Sequence, residues 1–231
     1  MDDERKEVRM LEQVKAVIFD LDGTLVDSMW VWKEIDIEFL APFGIEVPDN
    51  LQKEIEGKSF TETAEYFKEV FQIPMSIEEM KNVWNQMAYE KYSSVVPLKD
   101  GVYEFLRYLK ENKIPAGIAT SNSRELLLAV LEGLGVEGYF QVLCTGCEVG
   151  RGKPFPDVYL KVAKELQVDP KDCLVFEDLP AGLLAGKAAG MKTCAVKDEF
   201  SKGMIVEKKQ LADYYIESYD DILTRNYEVL T

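Results

Sequence analysis

The chain has 231 residues, of which 47% are hydrophobic, so it can form one medium domain with a smaller insert, and intrinsic disorder is excluded. Lys and Arg number 27 against 42 Asp and Glu, and the resulting net charge of −15 would repel nucleic-acid backbones and anionic membranes. The sequence contains no His, which excludes imidazole bases and histidine metal ligands.

Localisation and partners follow from the polar and apolar segments. Residues 1–13 are polar and lack the apolar core of a secretory signal, and no apolar run approaches the roughly 20 residues of a membrane span. The lone Cys144–Cys147 pair is expected to be two ordinary thiols, since a zinc site needs further ligands. We therefore expect a cytoplasmic protein that acts on a small molecule, is a monomer, and binds neither nucleic acid nor membrane.

Five short apolar segments are predicted to be strands buried on both faces, as in a parallel sheet. They are residues 16–20, 116–120, 141–145, 173–177 and 192–196. Helical spacing of apolar residues lies between them, for example from Val102 to Leu109 and from Leu127 to Leu134, where Gly135 marks a helix end. This alternation predicts an α/β fold, a Rossmann-like parallel sheet with helices on both faces.

Residues 28–96 interrupt the alternation because they carry helical patterns only. Apolar residues repeat with helical spacing after residue 31, and capping boxes at residues 59–62 and 76–79 predict two further helix starts. We therefore predict a core domain of residues 1–27 and 97–231 with a small inserted helical cap of residues 28–96. An insert after the first strand would lie over the place where open α/β sheets bind ligands.

Acidic residues stand at the ends of two predicted strands. Asp20 and Asp22 follow the first strand, with Gly23 permitting a tight turn, and Glu177 and Asp178 end the fourth. Adjacent carboxylates are costly unless a cation lies between them. Asp20, Asp22 and Asp178 would form a hard oxygen site suited to Mg²⁺.

Two further segments carry groups that could bind an anion. Thr120 ends the second predicted strand just before Ser121 and Asn122, where the backbone N–H groups of a helix start are free. Lys153 lies in a turn stiffened by the prolines at positions 154 and 156. Together with the acidic residues, these groups would bind an anion next to a divalent cation.

The four motifs, in this order, resemble those of the haloacid dehalogenase superfamily, in the branch with a small helical cap that includes beta-phosphoglucomutases and phosphoglycolate phosphatases. The resemblance extends over about residues 15–220. The roles it implies are Asp20 as nucleophile, Asp22 as general acid and base, Thr120 with the Ser121 N–H as phosphoryl site, and Lys153 as neutralising cation. The Mg²⁺ ligands it implies are Asp20, Asp22 through its backbone carbonyl, Glu177 and Asp178.

Departures from the mutase pattern favour hydrolysis. Trp32 stands where mutases have a cap-side His, and Phe60 stands where they have an Arg that binds a second phosphate. With Lys58, Ser121 and Asn122, these two are the predicted substrate-binding residues. Leu179 replaces a small hydroxyl residue after the metal motif, and Asp22 argues against dehalogenation. We expect a Mg²⁺-dependent phosphatase acting on a sugar phosphate or similar metabolite. The alternatives are a phosphomutase that acts on a sugar phosphate and a non-catalytic regulatory protein. The intact acids, hydroxyl and Lys disfavour the second of these.

Overall fold

A computed structural model describes residues 9–230, and its centre is one seven-stranded sheet. The strands are β1 (Ala16–Phe19), β2 (Ala116–Thr120), β3 (Val142–Thr145), β4 (Cys173–Glu177), β5 (Lys192–Val196), β6 (Tyr214–Ile216) and β7 (Glu228–Val229). They lie in the order β3-β2-β1-β4-β5-β6-β7, and only the β6–β7 pair is antiparallel. The predicted α/β class is confirmed. The five predicted strands agree within one residue at each end, whereas β6 and β7 were not predicted.

The described residues also form ten α-helices, several of which cover the two faces of this sheet. They are α1 (Met29–Leu40), α2 (Leu51–Ile55), α3 (Phe60–Val70), α4 (Ile77–Ser94), α5 (Val102–Glu111), α6 (Arg124–Gly133), α7 (Asp157–Leu166), α8 (Pro180–Ala188), α9 (Ile205–Leu211) and α10 (Asp220–Thr224). Successive side chains of β1 point to opposite faces. Val17 and Phe19 join the apolar core formed with α5 and α6, whereas Ala16 and Ile18 join the core formed with α7 and α8.

The segment from residue 28 to residue 96 contains α1 to α4 and no strand. Both predicted capping boxes are present. Ser59 accepts the N–H of Glu62 at 3.3 Å while the Glu62 carboxylate accepts the N–H of Ser59 at 2.7 Å, and Ser76 and Glu79 repeat the pattern. Phe39, Phe67 and Trp84, one from each long helix, join α1, α3 and α4 through ring contacts of 5.1–6.1 Å. These three rings therefore form part of the core of a small helical layer.

The carboxyl ends of three neighbouring strands meet at one edge of the sheet. β1 lies between β2 and β4, and the N–H of Asp20, just past β1, donates to the carbonyl of Phe176 in β4 at 3.0 Å. The chain extends the sheet to one side of β1 with β2 and β3, then to the other side with β4. A reversal of this kind opens the crevice in which α/β sheets bind ligands.

The cysteines and the helices bear on two further expectations, those about a zinc site and about a membrane span. All four cysteines are free thiols, and the one group of possible metal ligands found among residues 9–230 includes none of them. Over the same residues, no helix combines the length and the apolar character that crossing a bilayer requires.

Candidate active site

A buried ion pair lies at the carboxyl edge of the sheet. Lys153 reaches Asp20 Oδ1 at 2.6 Å and Glu177 Oε1 at 2.5 Å, and Asp20 and Lys153 are each only 7% exposed. Burial raises the pKa of Asp20 to about 7 although Lys153 acts to lower it. Burial disfavours the charged form of Lys153, but attraction by the two carboxylates outweighs it and holds the Lys153 pKa above its ordinary value. The pair keeps a cation beside the Asp20 carboxylate.

Glu177 anchors this lysine through a carboxylate with a full set of donors. Its Oε1 accepts from Lys153 and from the Tyr159 hydroxyl at 2.7 Å, and its Oε2 accepts the N–H groups of Asp178 and Leu179 at 3.1 and 3.3 Å. Position 182 must be glycine to leave room for the Glu177 carboxylate, since a Cβ on Gly182 would lie 1.7 Å from Oε1. Tyr159 was not predicted, because it lies in the apolar stripe of α7 and resembles a core residue.

Asp20, Glu177 and Asp178 form an acidic cluster whose carboxylate oxygens lie within 4.8 Å of one another. Asp178 is fully buried, its Oδ1 accepts from the Thr24 hydroxyl at 3.0 Å, and its Oδ2 has no hydrogen-bond partner among residues 9–230. Burial, followed by repulsion from Glu177 and Asp20, raises the pKa of Asp178 well above its usual range. A buried oxygen without a donor beside two more carboxylates fits a divalent cation with oxygen ligands.

Gly23 lets the chain pass close to this cluster. Its φ is +76°, and a Cβ at this position would lie 2.5 Å from Asp178 Oδ2. Any other residue would be strained and would also push against the orphaned oxygen. The tight turn expected from the sequence therefore has a second purpose, which is to make room for Asp178.

The Asp22 side chain lies outside the acidic cluster and has partners of its own. Its Oδ1 accepts from the hydroxyls of Ser28, at 2.5 Å, and of Tyr92, and its Oδ2 accepts from Asn122 Nδ2 at 2.9 Å. The expectation that three aspartate carboxylates share one site therefore does not describe Asp22. The Asp22 backbone carbonyl remains a candidate metal ligand, whereas the carboxylate is held by three hydrogen bonds.

Tyr92, near the end of α4, connects the helical segment to Asp22. It is 1% exposed, and its hydroxyl accepts hydrogen bonds from Trp32 Nε1 at 2.7 Å and from Asn122 Nδ2 at 3.2 Å while donating to Asp22. Burial and the Asp22 charge raise the pKa of Tyr92 well above its ordinary value, so the hydroxyl remains a donor. A tyrosine in a long amphipathic helix resembles a core residue, which is why the sequence did not reveal it.

The end of β2 is joined to the helical segment. The Thr120 hydroxyl accepts the Asn122 N–H at 3.0 Å, and the Ser121 carbonyl accepts the Phe60 N–H at 2.9 Å. On the opposite side, Glu62 accepts the N–H of Gly152, next to Lys153, at 3.0 Å. The helical segment therefore touches the loops that carry both predicted anion-binding groups.

All predicted catalytic and substrate-binding residues line one cavity of about 310 Å³. The strand ends and loops at the carboxyl edge of the sheet contribute Asp20, Asp22, Thr120, Ser121, Asn122 and Lys153 to its wall. The helical segment contributes Trp32, Lys58 and Phe60, with Phe60 packed between Trp32 and Trp84 at ring distances of 5.9 and 5.5 Å. Glu177 also lines the cavity, whereas the fully buried Asp178 does not.

This arrangement agrees with what sequence comparison finds. Residues 17–196 match the haloacid dehalogenase-like hydrolase family. The chain belongs to this family. The resemblance found from the four motifs of this hydrolase is therefore confirmed.

Relatives of this hydrolase include named phosphatases. The bifunctional riboflavin kinase/FMN phosphatase of Arabidopsis thaliana is 34% identical over 184 residues, covering 78% of this chain and 48% of that protein. The phosphorylated carbohydrates phosphatase of Thermotoga maritima is 32% identical over 179 residues, covering 78% of this chain and 83% of that protein. The hydrolase thus spans about half of the plant protein and most of the bacterial one. Family and relatives together make it a phosphomonoester hydrolase.

Solved structures show the same fold. CbbY from Rhodobacter sphaeroides, in complex with xylulose-(1,5)bisphosphate, superposes with a TM-score of 0.78 at 20% identity, covering 89% of this chain and 95% of that one. At this identity, the likeness shows the fold of the hydrolase alone.

Proposed function

We propose that this hydrolase removes the phosphoryl group from small phosphomonoesters in two transfers, the first onto Asp20, with Mg²⁺ as cofactor. The observation that supports it best is the buried Asp20 carboxylate, which is paired with Lys153 and lines the cavity. A carboxylate attacks without prior deprotonation, which suits a chain that has no His. The residues 28–96 would act as a cap over this cavity, and the enzyme would work as a monomer in the cytoplasm.

In the first transfer, a carboxylate oxygen of Asp20 forms a bond to phosphorus as the bond from phosphorus to the alcohol oxygen breaks. Asp22 gives its proton to that leaving oxygen. The Thr120 hydroxyl, the Ser121 N–H and the Lys153 ammonium bind the phosphoryl oxygens and take up their charge. The alcohol is released and Asp20 carries the phosphoryl group.

In the second transfer, Asp22 is ionised and acts as a base. It takes a proton from a water molecule whose oxygen bonds to phosphorus as the bond to Asp20 breaks, giving inorganic phosphate and the free carboxylate. Ser28, Asn122 and Tyr92 donate hydrogen bonds to Asp22 and fix its direction. Both steps therefore depend on how firmly Asp22 is held.

The residues that would hold Mg²⁺ are Asp20, Asp178 and the backbone carbonyl of Asp22. The orphaned Oδ2 of Asp178 supports this assignment. Glu177 would first have to release one of its four donors. Bound Mg²⁺ would supply positive charge between the Asp20 carboxylate and the incoming phosphate.

The cavity favours hydrolysis over transfer between two positions of a sugar phosphate. Among the described residues that line it, Lys58 is the one cation contributed by the helical segment, which also contributes the acids Asp36 and Glu56. A mutase must hold a second phosphate, and phosphates are bound by clusters of cationic donors. We therefore propose that the leaving group is a neutral alcohol.

Removal of Mg²⁺ provides one test. We expect turnover of para-nitrophenyl phosphate to stop in excess EDTA and to return when Mg²⁺ is added. Adding Mg²⁺ should also raise the melting temperature, because an ion that binds only the folded state stabilises it. Asp178→Asn should lose that rise, whereas Asp49→Asn, at an exposed site, should keep it. Full activity in excess EDTA would contradict the metal assignment.

Tyr92→Phe tests the hold on Asp22. The change deletes one hydrogen bond to the proton-transferring group, so kcat should fall roughly fivefold, corresponding to a net hydrogen-bond energy of about 1 kcal/mol. KM should change little, because Tyr92 does not line the cavity in which the phosphate would bind. Tyr89→Phe is the matched control, since Tyr89 is exposed on the same helix. An unchanged kcat in Tyr92→Phe would show that the contact has no part in catalysis.

A further inference from the structure

Asp36 is a buried acid in the cavity wall that the reaction does not use. It is 7% exposed and lines the cavity from α1, next to Ile35. Its Oδ2 accepts from Gln52 Nε2 at 2.8 Å, and Oδ1 has no hydrogen-bond partner among residues 9–230. Burial raises the pKa of Asp36 to about 7 although the Gln52 hydrogen bond acts to lower it. Asp36 Oδ1 is not among the fully buried side-chain atoms that lack a partner, so it is accessible and can accept a hydrogen bond from a ligand.

Much of the cavity wall is apolar. Trp32 and Phe200 line the cavity with partly exposed rings, whereas Phe60 and Trp84 are 5% and 3% exposed and pack on each other at 5.5 Å. Ile35 and Ile55 add aliphatic surface. Flat aromatic faces stack well on planar rings and offer open-chain polyols little to bind. A volume of about 310 Å³ places the cavity among the smaller ligand sites, so one ring system is a suitable size.

We propose that the hydrolase selects phosphomonoesters whose alcohol carries a planar ring with an N–H group, and that Asp36 accepts the hydrogen bond from that N–H. This inference rests on the proposed phosphatase function and names its substrate class. The phosphate would lie at Asp20, Thr120 and Lys153, and the ring would lie against the partly exposed side of Trp32. Gln52 holds the Asp36 carboxyl in position, which leaves Oδ1 for the ligand.

The contrary view is that Asp36 serves only to connect α1 to α2 through Gln52. In that case replacing Asp36 would change stability and leave the order of substrates as it was. A ring-binding role predicts a change in selectivity instead. A buried acceptor left without its donor penalises substrates that lack the N–H, and such penalties exceed those for a missing methylene group.

The experiment measures kcat/KM for pairs of ring-bearing phosphomonoesters that differ only in a ring N–H or N–methyl group, such as uridine 5′-monophosphate and its N3-methyl analogue, together with FMN and its N3-methyl analogue. Glycerol phosphate and hexitol phosphates serve as ringless substrates. The wild-type enzyme should prefer at least one N–H member over its methyl partner by about tenfold and over every ringless ester. Asp36→Leu should reduce that preference to about twofold or less.

Controls separate the possible causes. Glu38→Gln, at an exposed acid on the same helix, should keep the wild-type preference. If Asp36→Leu does not fold by its melting curve, Asp36→Asn replaces it, and the preference should fall below that of the wild type. A preference that survives loss of the Asp36 charge, or ringless esters as the best substrates, would overturn the inference. Turnover of para-nitrophenyl phosphate that is lost in Asp20→Asn tests the phosphatase function separately, so the two proposals fail in different ways.

Discussion

Asp20→Asn is expected to abolish turnover of every phosphomonoester, with kcat falling by a factor on the order of 10⁴ or more, as when other enzymes lose their nucleophile. The amide keeps the size of the side chain but offers no charged oxygen to phosphorus. Steady-state rates with para-nitrophenyl phosphate in saturating Mg²⁺ measure the effect. Retention of substantial activity would show that Asp20 does not accept the phosphoryl group.

The pH dependence of the melting temperature is a second test of Asp20, independent of activity. Burial raises the pKa of Asp20 from 3.8 to about 7, so without metal the folded state keeps this proton to a higher pH than the unfolded state does. The wild-type protein should therefore lose stability as pH rises from about 4 to about 7. Asp20→Asn has no such proton, so its melting temperature in EDTA should fall less over this range. Asp49→Asn should follow the wild-type curve.

Lys153→Met is expected to weaken every substrate and inorganic phosphate together. Among residues 9–230, the Lys153 ammonium is the one cation that contacts Asp20, and loss of such a charge-stabilising contact in a water-poor site typically costs a factor of about 100 in rate. The value of kcat/KM should fall by a similar factor for all substrates, because the phosphoryl group is common to them. The inhibition constant for inorganic phosphate should rise as well. Substrate-dependent changes would place Lys153 at the leaving group instead.

Loss of Lys153 should also destabilise the fold. Asp20 and Glu177 would remain buried without their cation, and breaking a buried ion pair typically costs about 3–5 kcal/mol of unfolding free energy. The melting temperature should drop in EDTA and recover in part with Mg²⁺, which would replace some of the missing positive charge. Lys164→Met changes an exposed lysine of α7 and should leave both measurements unchanged.

The residues found from the sequence share a position in the fold. Asp20, Thr120 and Glu177 each end or follow a strand that is apolar on both faces, and a polar residue at that place is visible in a single sequence. Parallel strands bring their carboxyl ends to one edge, so linear order was sufficient to bring these residues together. The same logic could not detect β6 and β7, which have three and two residues and carry no apolar period.

The residues that the sequence did not reveal lie on helices. Tyr92 and Asp36 belong to α4 and α1, where a buried tyrosine looks like core and a single acid looks like part of the solvent face. Their importance comes from contacts with residues that are distant in the chain, since Tyr92 meets Asp22 and Asn122 through packing of α4 on the sheet. Helical periodicity fixes which side chains share a face, but not the partner that the face meets.

The stereochemistry at phosphorus tests the two-transfer account most directly. A phosphorothioate monoester made chiral at phosphorus with sulfur and two oxygen isotopes would be hydrolysed by the wild-type enzyme in water that carries the third oxygen isotope. The configuration of the product thiophosphate, which then bears sulfur and three oxygen isotopes, would be determined. Transfer to Asp20 followed by transfer to water inverts phosphorus twice, so the account predicts overall retention. Overall inversion would mean that water attacks the substrate directly, and it would contradict the assignment of Asp20 as the group that carries the phosphoryl.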